Sequence, residues 1–346
     1  MNVKFGELPQ DAVVDSPLGM KGIDSAGSTV SGVRMDVNQA YAGIPRLLEK
    51  VVNGNDHLAW TEIKKRIDAI TSHLGYAFEA LDRKTGFAAG VQSQVRSGKK
   101  LLFKPNLVSP SVIDPATHGE GAGSTICTEW ALIAALMRWF HDRLDIPYSA
   151  MAVGEASTST FFMAHLYSGI TGKTVTTEAV FEGRSGNFYG GWGFFFVRKY
   201  LAESLSPSSG EDPMQGYEES VSGTYLPPGR AGNRLMLYDL NKIQEDISRG
   251  RTVAVPDGAN FKEITLHKAI VGGDPRDASD MKDYPGCVLV NVPKMKIHAQ
   301  DLITNAIKNL GIGLYPTQCA HGTGSGDTDW KYSYPPTNIP SYKGKL

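Results

Sequence analysis

The sequence predicts an α/β protein with a mainly parallel sheet, flanking helices and a Gly- and aromatic-rich insertion. A strand pattern at residues 100–103, a helical pattern at 125–143 and a second strand pattern at 149–153 follow one another along the chain. Strand, helix and strand in that order predict a right-handed crossover, whose strands pair in parallel. A second buried run at 288–292 ends at Pro293 and gives way to a helical period.

The other elements follow from the same periodicities, taken in chain order. Residues 1–40 show no clear period and predict an irregular arm, whereas 44–52 and 60–81 have helical periods. Further strands are predicted within 234–240, 251–257 and 263–270, and a last helix from Ala299 that stops at Gly311. The predicted divisions are an arm with helices at 1–95, a βαβ unit at 96–160, an insertion or lid at 161–233, a second α/β portion at 234–316 and an extended tail at 317–346.

Composition excludes some classes of protein. Hydrophobic residues make up 41% and charged residues 21% of the 346 positions, as in a soluble globular protein. The net charge of −1 argues against a nucleic-acid binder, and no apolar run is long enough for a membrane span. The first ten residues lack the pattern of a signal peptide, so we expect a cytoplasmic protein, or an exported one whose leader has been removed.

The cysteine and histidine patterns do not predict a metal centre. The three cysteines are far apart and form no CxxC pair, so we expect no iron–sulfur cluster held by this chain alone. The side chains that could serve as metal ligands show no recognised spacing; they are His118, Glu120, Glu155, His298, His321 and Asp327. We therefore expect no metal ligands, and no glycine motif identifies a nucleotide or any other cofactor.

Polar side chains follow three of the predicted strands. They lie at 104–106 (KPN), 154–160 (GEASTST) and 293–298 (PKMKIH). Because parallel strands end at one edge of a sheet, these segments are expected to converge there and to bind a small anion, a carboxylate or phosphate. The predicted binding residues are Lys104, Asn106, Glu155, Ser157, Lys308 and Asn309. The alternative is that the lysines are solvated strand ends.

The residues predicted to be catalytic are Lys294, Lys296 and His298, which alternate along the chain after the last strand. His298 changes charge near neutral pH, and nearby lysines would favour its neutral, basic form. One lysine would lower the pKa of the other and give a usable amine. We therefore expect proton transfer or addition–elimination on an anionic substrate, with a structural histidine as the alternative.

Three stretches resemble signatures of the DUF362 family. They are KPNLV at 104–108, AVGEAS at 152–157 and VNVPKMKIH at 290–298, the last followed by IKNLGIG at 307–313. Glu155 stands where the family usually has Asp, and the ferredoxin-type cysteine clusters of many relatives are missing. Relatives usually continue further past the KNLG helix, which favours a fragment or a processed chain. The family has no assigned reaction, so the resemblance implies none.

The sequence is compatible with two classes of function. In the first, the protein is an enzyme with a cleft at the strand ends and a lid within 183–229. In the second, it is a non-catalytic binding or assembly component, such as a partner in a redox complex. The aromatic Gly loop at 183–196 and the Tyr- and Pro-rich tail would then contact a second copy or another protein, although such a loop can also pack on its own domain.

Overall fold

A computed structural model describes the central part of the chain in several stretches. These are residues 13–16, 28–36, 38, 40–107, 127–156, 194–214, 226–240, 243, 246–257, 262–296 and 306–314. The strands are β1 (Val13–Ser16), β2 (Ser28–Ser31), β3 (Lys100–Pro105), β4 (Met151–Glu155), β5 (Met236–Asp239), β6 (Gly250–Ala254), β7 (Glu263–His267) and β8 (Cys287–Val292). The α-helices are α1 (Ile44–Gly54), α2 (His57–Thr85), α3 (Phe87–Arg96), α4 (Trp130–Leu144), α5 (Phe194–Ser204), α6 (Lys268–Val271), α7 (Ala278–Asp283) and α8 (Ala306–Gly313).

The centre of the fold is a four-stranded parallel sheet, which confirms the predicted fold class. Its strand order is β5-β4-β3-β8, and every neighbouring pair is parallel. From β3 the chain moves outward through β4 to β5 and later returns to the opposite side of β3 as β8. The order of the strands therefore reverses between β3 and β8, which is the arrangement called a topological switch point.

The two faces of this sheet are covered by different helices. Leu101 and Phe103 of β3 face a large core that contains the buried sides of α2, α4 and α5. Leu102, between them in sequence, faces a smaller core with Tyr238 and with Ala269 of α6. Because side chains alternate along a strand, Lys104 follows Leu102 to the second face, where α8 also packs.

The long helix α2 begins and ends at well-defined caps. Asp56 accepts hydrogen bonds from the N–H groups of Leu58 and Ala59, which satisfies two of the first free donors of the helix. At the other end Gly86 has φ of 65°, a left-handed conformation that suits glycine at a helix C-terminus. Between these caps Ile63, Ile67 and Ile70 are buried, as their spacing predicts.

Several elements differ from the sequence-based predictions. The predicted irregular arm contains the antiparallel pair β1–β2, and α3 was not predicted. Strands β6 and β7 pair with each other in a separate antiparallel sheet. Helix α8 continues through Gly311 to Gly313, because Gly311 keeps helical geometry there and lowers the stability of the helix without ending it.

Helix α5 lies within the segment for which the sequence predicts an insertion or lid. Its Phe194, Val197 and Leu201 are buried in the large core together with residues of α2 and α4. Residues 194–204 therefore pack on the protein's own core, and the insertion or lid at 161–233 stays a prediction. Residues 161–193 and 215–225 of the segment lie outside the described part of the chain.

No helix among the residues that the structure describes is both long and apolar enough to cross a membrane.

Candidate functional site

The candidate site lies at the carboxyl edge of the parallel sheet, around the switch point between β3 and β8. Register places Lys104 beside Asn291 and Pro105 beside Val292. Doubly wound α/β folds bind their ligands at this position, since the connections leave the two strands toward opposite faces. The predicted convergence of the segments after β3, β4 and β8 is therefore present in the fold.

Lys104 lies at the centre of a buried polar network. Its side chain is completely buried, and its Nζ donates hydrogen bonds to Glu155 Oε2 at 2.5 Å, to Asn309 Oδ1 at 2.9 Å and to the Pro105 carbonyl at 2.7 Å. An ammonium group has three N–H donors, and all three are used here. A ligand could bind the Lys104 ammonium only if this network opened.

The same network fixes α8 against the strand ends. Asn309 donates to the Lys104 carbonyl at 3.1 Å and to Asn291 Oδ1 at 2.7 Å, and Asn291 donates to the Ala306 carbonyl. The N–H of Ala156, just after β4, donates to the Gly313 carbonyl at 3.1 Å. Helix α8 is therefore joined by hydrogen bonds to the ends of β3, β4 and β8.

Gly313 lies directly against the Lys104 ammonium group, which occupies the space that a side chain at this position would need. A Cβ atom at this position would lie 2.5 Å from Lys104 Nζ and 3.2 Å from Glu155 Oε1. Cβ contacts under 3.0 Å are essentially never seen in proteins. A side chain at this position would therefore require either the Lys104 ammonium group or α8 to move.

Burial and pairing act in opposite directions on the two buried charges. Burial lowers the pKa of Lys104 and raises the pKa of Glu155, because a low-polarity environment disfavours both charged forms. Their mutual contact opposes both shifts, and the N–H groups of Leu107 and Ala156 also lower the pKa of Glu155. The Lys104–Glu155 pair is therefore linked by backbone hydrogen bonds to the residues that follow β3 and β4.

A second group of residues lies beside the switch point. Thr128, which is buried, accepts a hydrogen bond from the Asn106 N–H at 2.9 Å and donates one to the Val292 carbonyl at 2.7 Å. Its hydroxyl group thereby links the ends of β3 and β8. The next residue, Glu129, accepts a hydrogen bond from Lys294 Nζ at 3.1 Å.

The Glu129–Lys294 pair differs from the buried pair in its access to solvent. The two side chains are 26% and 27% exposed, against 3% and 0% for Glu155 and Lys104. Burial raises the pKa of Glu129, and Lys294 partly opposes this shift. Burial and the neighbouring Glu129 carboxylate also raise the pKa of Tyr41, so the phenol stays neutral. Lys294 is thus a partly exposed lysine at the switch point, paired with Glu129.

The structure describes only some of the residues predicted for the site. Lys104 contacts both Glu155 and Asn309, and Lys294 lies at the same edge with a carboxylate partner. Asn106 is partly buried and donates through its backbone N–H to Thr128, while Lys296 is partly buried just after β8. Ser157, His298 and the side chain of Lys308 lie outside the described residues, so their roles stay predictions.

Most of the candidate metal ligands lie outside the described residues. Of the six residues considered as ligands, only Glu155 is described, and it is bound to Lys104. Within the described stretches, no group of three or more His, Cys, Asp or Glu side chains could hold a metal ion.

Sequence reasoning missed Thr128, Glu129, Asn291 and Gly313. The only signal for Asn291 in the sequence is that it is a polar residue within the apolar run 288–292. Glu129 has none, because it lies within the predicted helical stretch 125–143 and is 165 residues from Lys294.

A separate cleft of about 510 Å³ lies between α2 and α4. Its walls are polar and charged, with Asp68, Glu79, Arg138 and Arg143 among them. No residue of the predicted site lines it, and nothing in its walls resembles a catalytic arrangement, so the switch point remains the candidate site.

No protein-family model, no curated protein and no solved structure matches this chain. The resemblance to DUF362 therefore stays a prediction.

Proposed function

We propose that this protein, which resembles the DUF362 family, is an enzyme that binds a small anionic substrate, a carboxylate or a phosphate, at the switch point between β3 and β8. The observation that carries this proposal is Lys294, a partly exposed cation immediately after β8. The buried Lys104 network supports the proposal by holding the strand ends and α8 in a fixed arrangement.

The proposed chemistry is proton transfer or addition–elimination. Lys294 and Lys296 would bind the anionic group as point charges, and His298 or one of the lysine amines would move the proton. Asn106, Ser157 and Lys308 are the proposed additional substrate contacts. Glu155 and Asn309 would act mainly through Lys104, since both bind its ammonium group.

Anion binding is tested by isothermal titration calorimetry with inorganic phosphate, sulfate, citrate and succinate. We expect at least one of them to bind, and Lys294→Gln to weaken it about tenfold, because the substitution removes the contacting charge. Lys65→Gln is the matched control, since Lys65 is an exposed lysine on α2. No binding by any of the four anions, or equal losses in both variants, would refute the anion site.

Catalysis is tested separately by NMR detection of deuterium incorporation from D₂O into the carboxylates that bind. His298→Gln and Lys296→Gln should each abolish exchange while leaving the melting temperature nearly unchanged. Full exchange in both variants would exclude the assigned roles.

A non-catalytic binding or assembly component, such as a redox-complex partner, is the second candidate. It is favoured by the saturated Lys104 ammonium, whose hydrogen bonds are all made within the protein, as expected of a structural charge. Anion binding without deuterium exchange or any other turnover would favour this candidate.

A further inference from the structure

We propose that Glu129 lowers the affinity of the switch-point site for anions, because its carboxylate competes with and repels an anion at Lys294. This inference rests on the proposed anion site. It adds a residue that the sequence did not indicate, and it predicts that anion binding is coupled to proton uptake.

The position of Glu129 is fixed by the strands of the site. Thr128 contacts both the Asn106 N–H and the Val292 carbonyl, and its own N–H donates to the Asn106 carbonyl at 2.9 Å. Lys294 follows Val292 by two residues. The carboxylate and the ammonium group are therefore held together by the same two strand ends that define the switch point.

The Glu129 side chain is used for this contact and not for helix capping. Glu129 occupies the N-cap position of α4, yet its side chain makes no capping hydrogen bond. Its backbone carbonyl accepts hydrogen bonds from the N–H groups of Leu132 and Ile133, as the first turn of a helix requires. Replacing the carboxylate by an amide should therefore leave the start of α4 intact.

An anion bound at Lys294 and an ionised Glu129 would repel each other, because both are negative and both contact the same ammonium group. Anion binding is therefore weakened unless Glu129 moves away or takes up a proton. The described ionisable groups that act on Glu129 are Lys294, just after β8, and Tyr41, just before α1. Burial already raises the pKa of Glu129, which makes protonation easier than for an exposed glutamate.

Sulfate is the appropriate probe because its charge stays constant between pH 5 and 8. Calorimetric titration of the full chain should show that Glu129→Gln binds sulfate about fivefold more tightly than the wild type at pH 8, the difference expected from a partly exposed ion pair. The wild-type affinity should rise as the pH falls toward 5, and the affinity of Glu129→Gln should change much less. Glu62→Gln is the matched control, because Glu62 pairs with Arg66 on the exposed side of α2.

The outcomes separate this inference from the proposed function. If sulfate binds the wild type and Lys294→Gln loses it, while Glu129→Gln shows unchanged affinity and the same pH dependence, Glu129 is not a competitor and the anion site survives. If sulfate fails to bind the wild type, the inference is refuted, whereas the anion site falls only if phosphate, citrate and succinate also fail. Circular dichroism of Glu129→Gln should match the wild type; a lost helical signal would contradict the argument from the backbone cap.

Discussion

Gly313→Ala is the most direct test of the buried network. The added methyl group would lie 2.5 Å from Lys104 Nζ and 2.9 Å from its Cε. The lysine end cannot move aside freely, because its Nζ is held by Glu155, Asn309 and the Pro105 carbonyl. Either the helix shifts away from the sheet or the ammonium group loses a hydrogen bond in a buried environment.

The expected cost follows from these two routes. Overpacking a core costs ~1–3 kcal/mol, and a hydrogen bond to a charged group contributes ~1.5–3 kcal/mol, so we take ~3 kcal/mol for the steric conflict. Alanine has a better helix propensity than glycine by up to ~1 kcal/mol. The net loss in the free energy of unfolding should therefore be ~2 kcal/mol.

Gly311→Ala provides the control within the same helix. A Cβ atom at Gly311 would meet nothing within 4 Å, so only the propensity gain remains and the variant should be as stable as the wild type or up to ~1 kcal/mol more stable. Urea unfolding followed by far-ultraviolet circular dichroism should then separate the two variants by ~3 kcal/mol. Equal urea midpoints for both variants would contradict the close contact between Gly313 of α8 and the Lys104 side chain.

Two further predictions concern other parts of the fold. Thr128→Val removes the hydroxyl group that joins Asn106 to Val292, and leaving the buried groups unpaired should cost ~2 kcal/mol in urea unfolding; unchanged stability would mean that water replaces the hydroxyl group. His141 lies between Asp142 and Glu211, whose carboxylates raise its pKa to about 9. Its stabilising effect is fully present below pH 6.5, the unfolded value, and is lost as the pH rises through 9. The wild type should therefore exceed His141→Gln in stability by ~1–2 kcal/mol at pH 6, after allowance for partial solvent screening, and a gap that does not shrink by pH 9.5 would contradict the pairing.

The sequence determined the parallel sheet and most of the helices that cover it. The spacing of apolar residues along a strand or helix indicates which side chains are buried. This spacing can be seen within each stretch of sequence by itself. The order strand, helix, strand implied parallel pairing of β3 and β4, and the polar residues after β3, β4 and β8 implied a common edge. The burial of Ile63 and Ile67 in α2 follows from such a local pattern.

Only the tertiary structure decided which charged side chains are buried and which are partly exposed to solvent. Lys104 and Lys294 have similar sequence contexts, since each lies at or just after the end of a strand and next to a proline. In the fold, Lys104 is enclosed by Glu155 and by Asn309 from a helix 205 residues away, whereas Lys294 stays partly exposed beside Glu129. The physical reason is that desolvation and charge pairing depend on neighbours brought together by folding, and no local periodicity contains that information.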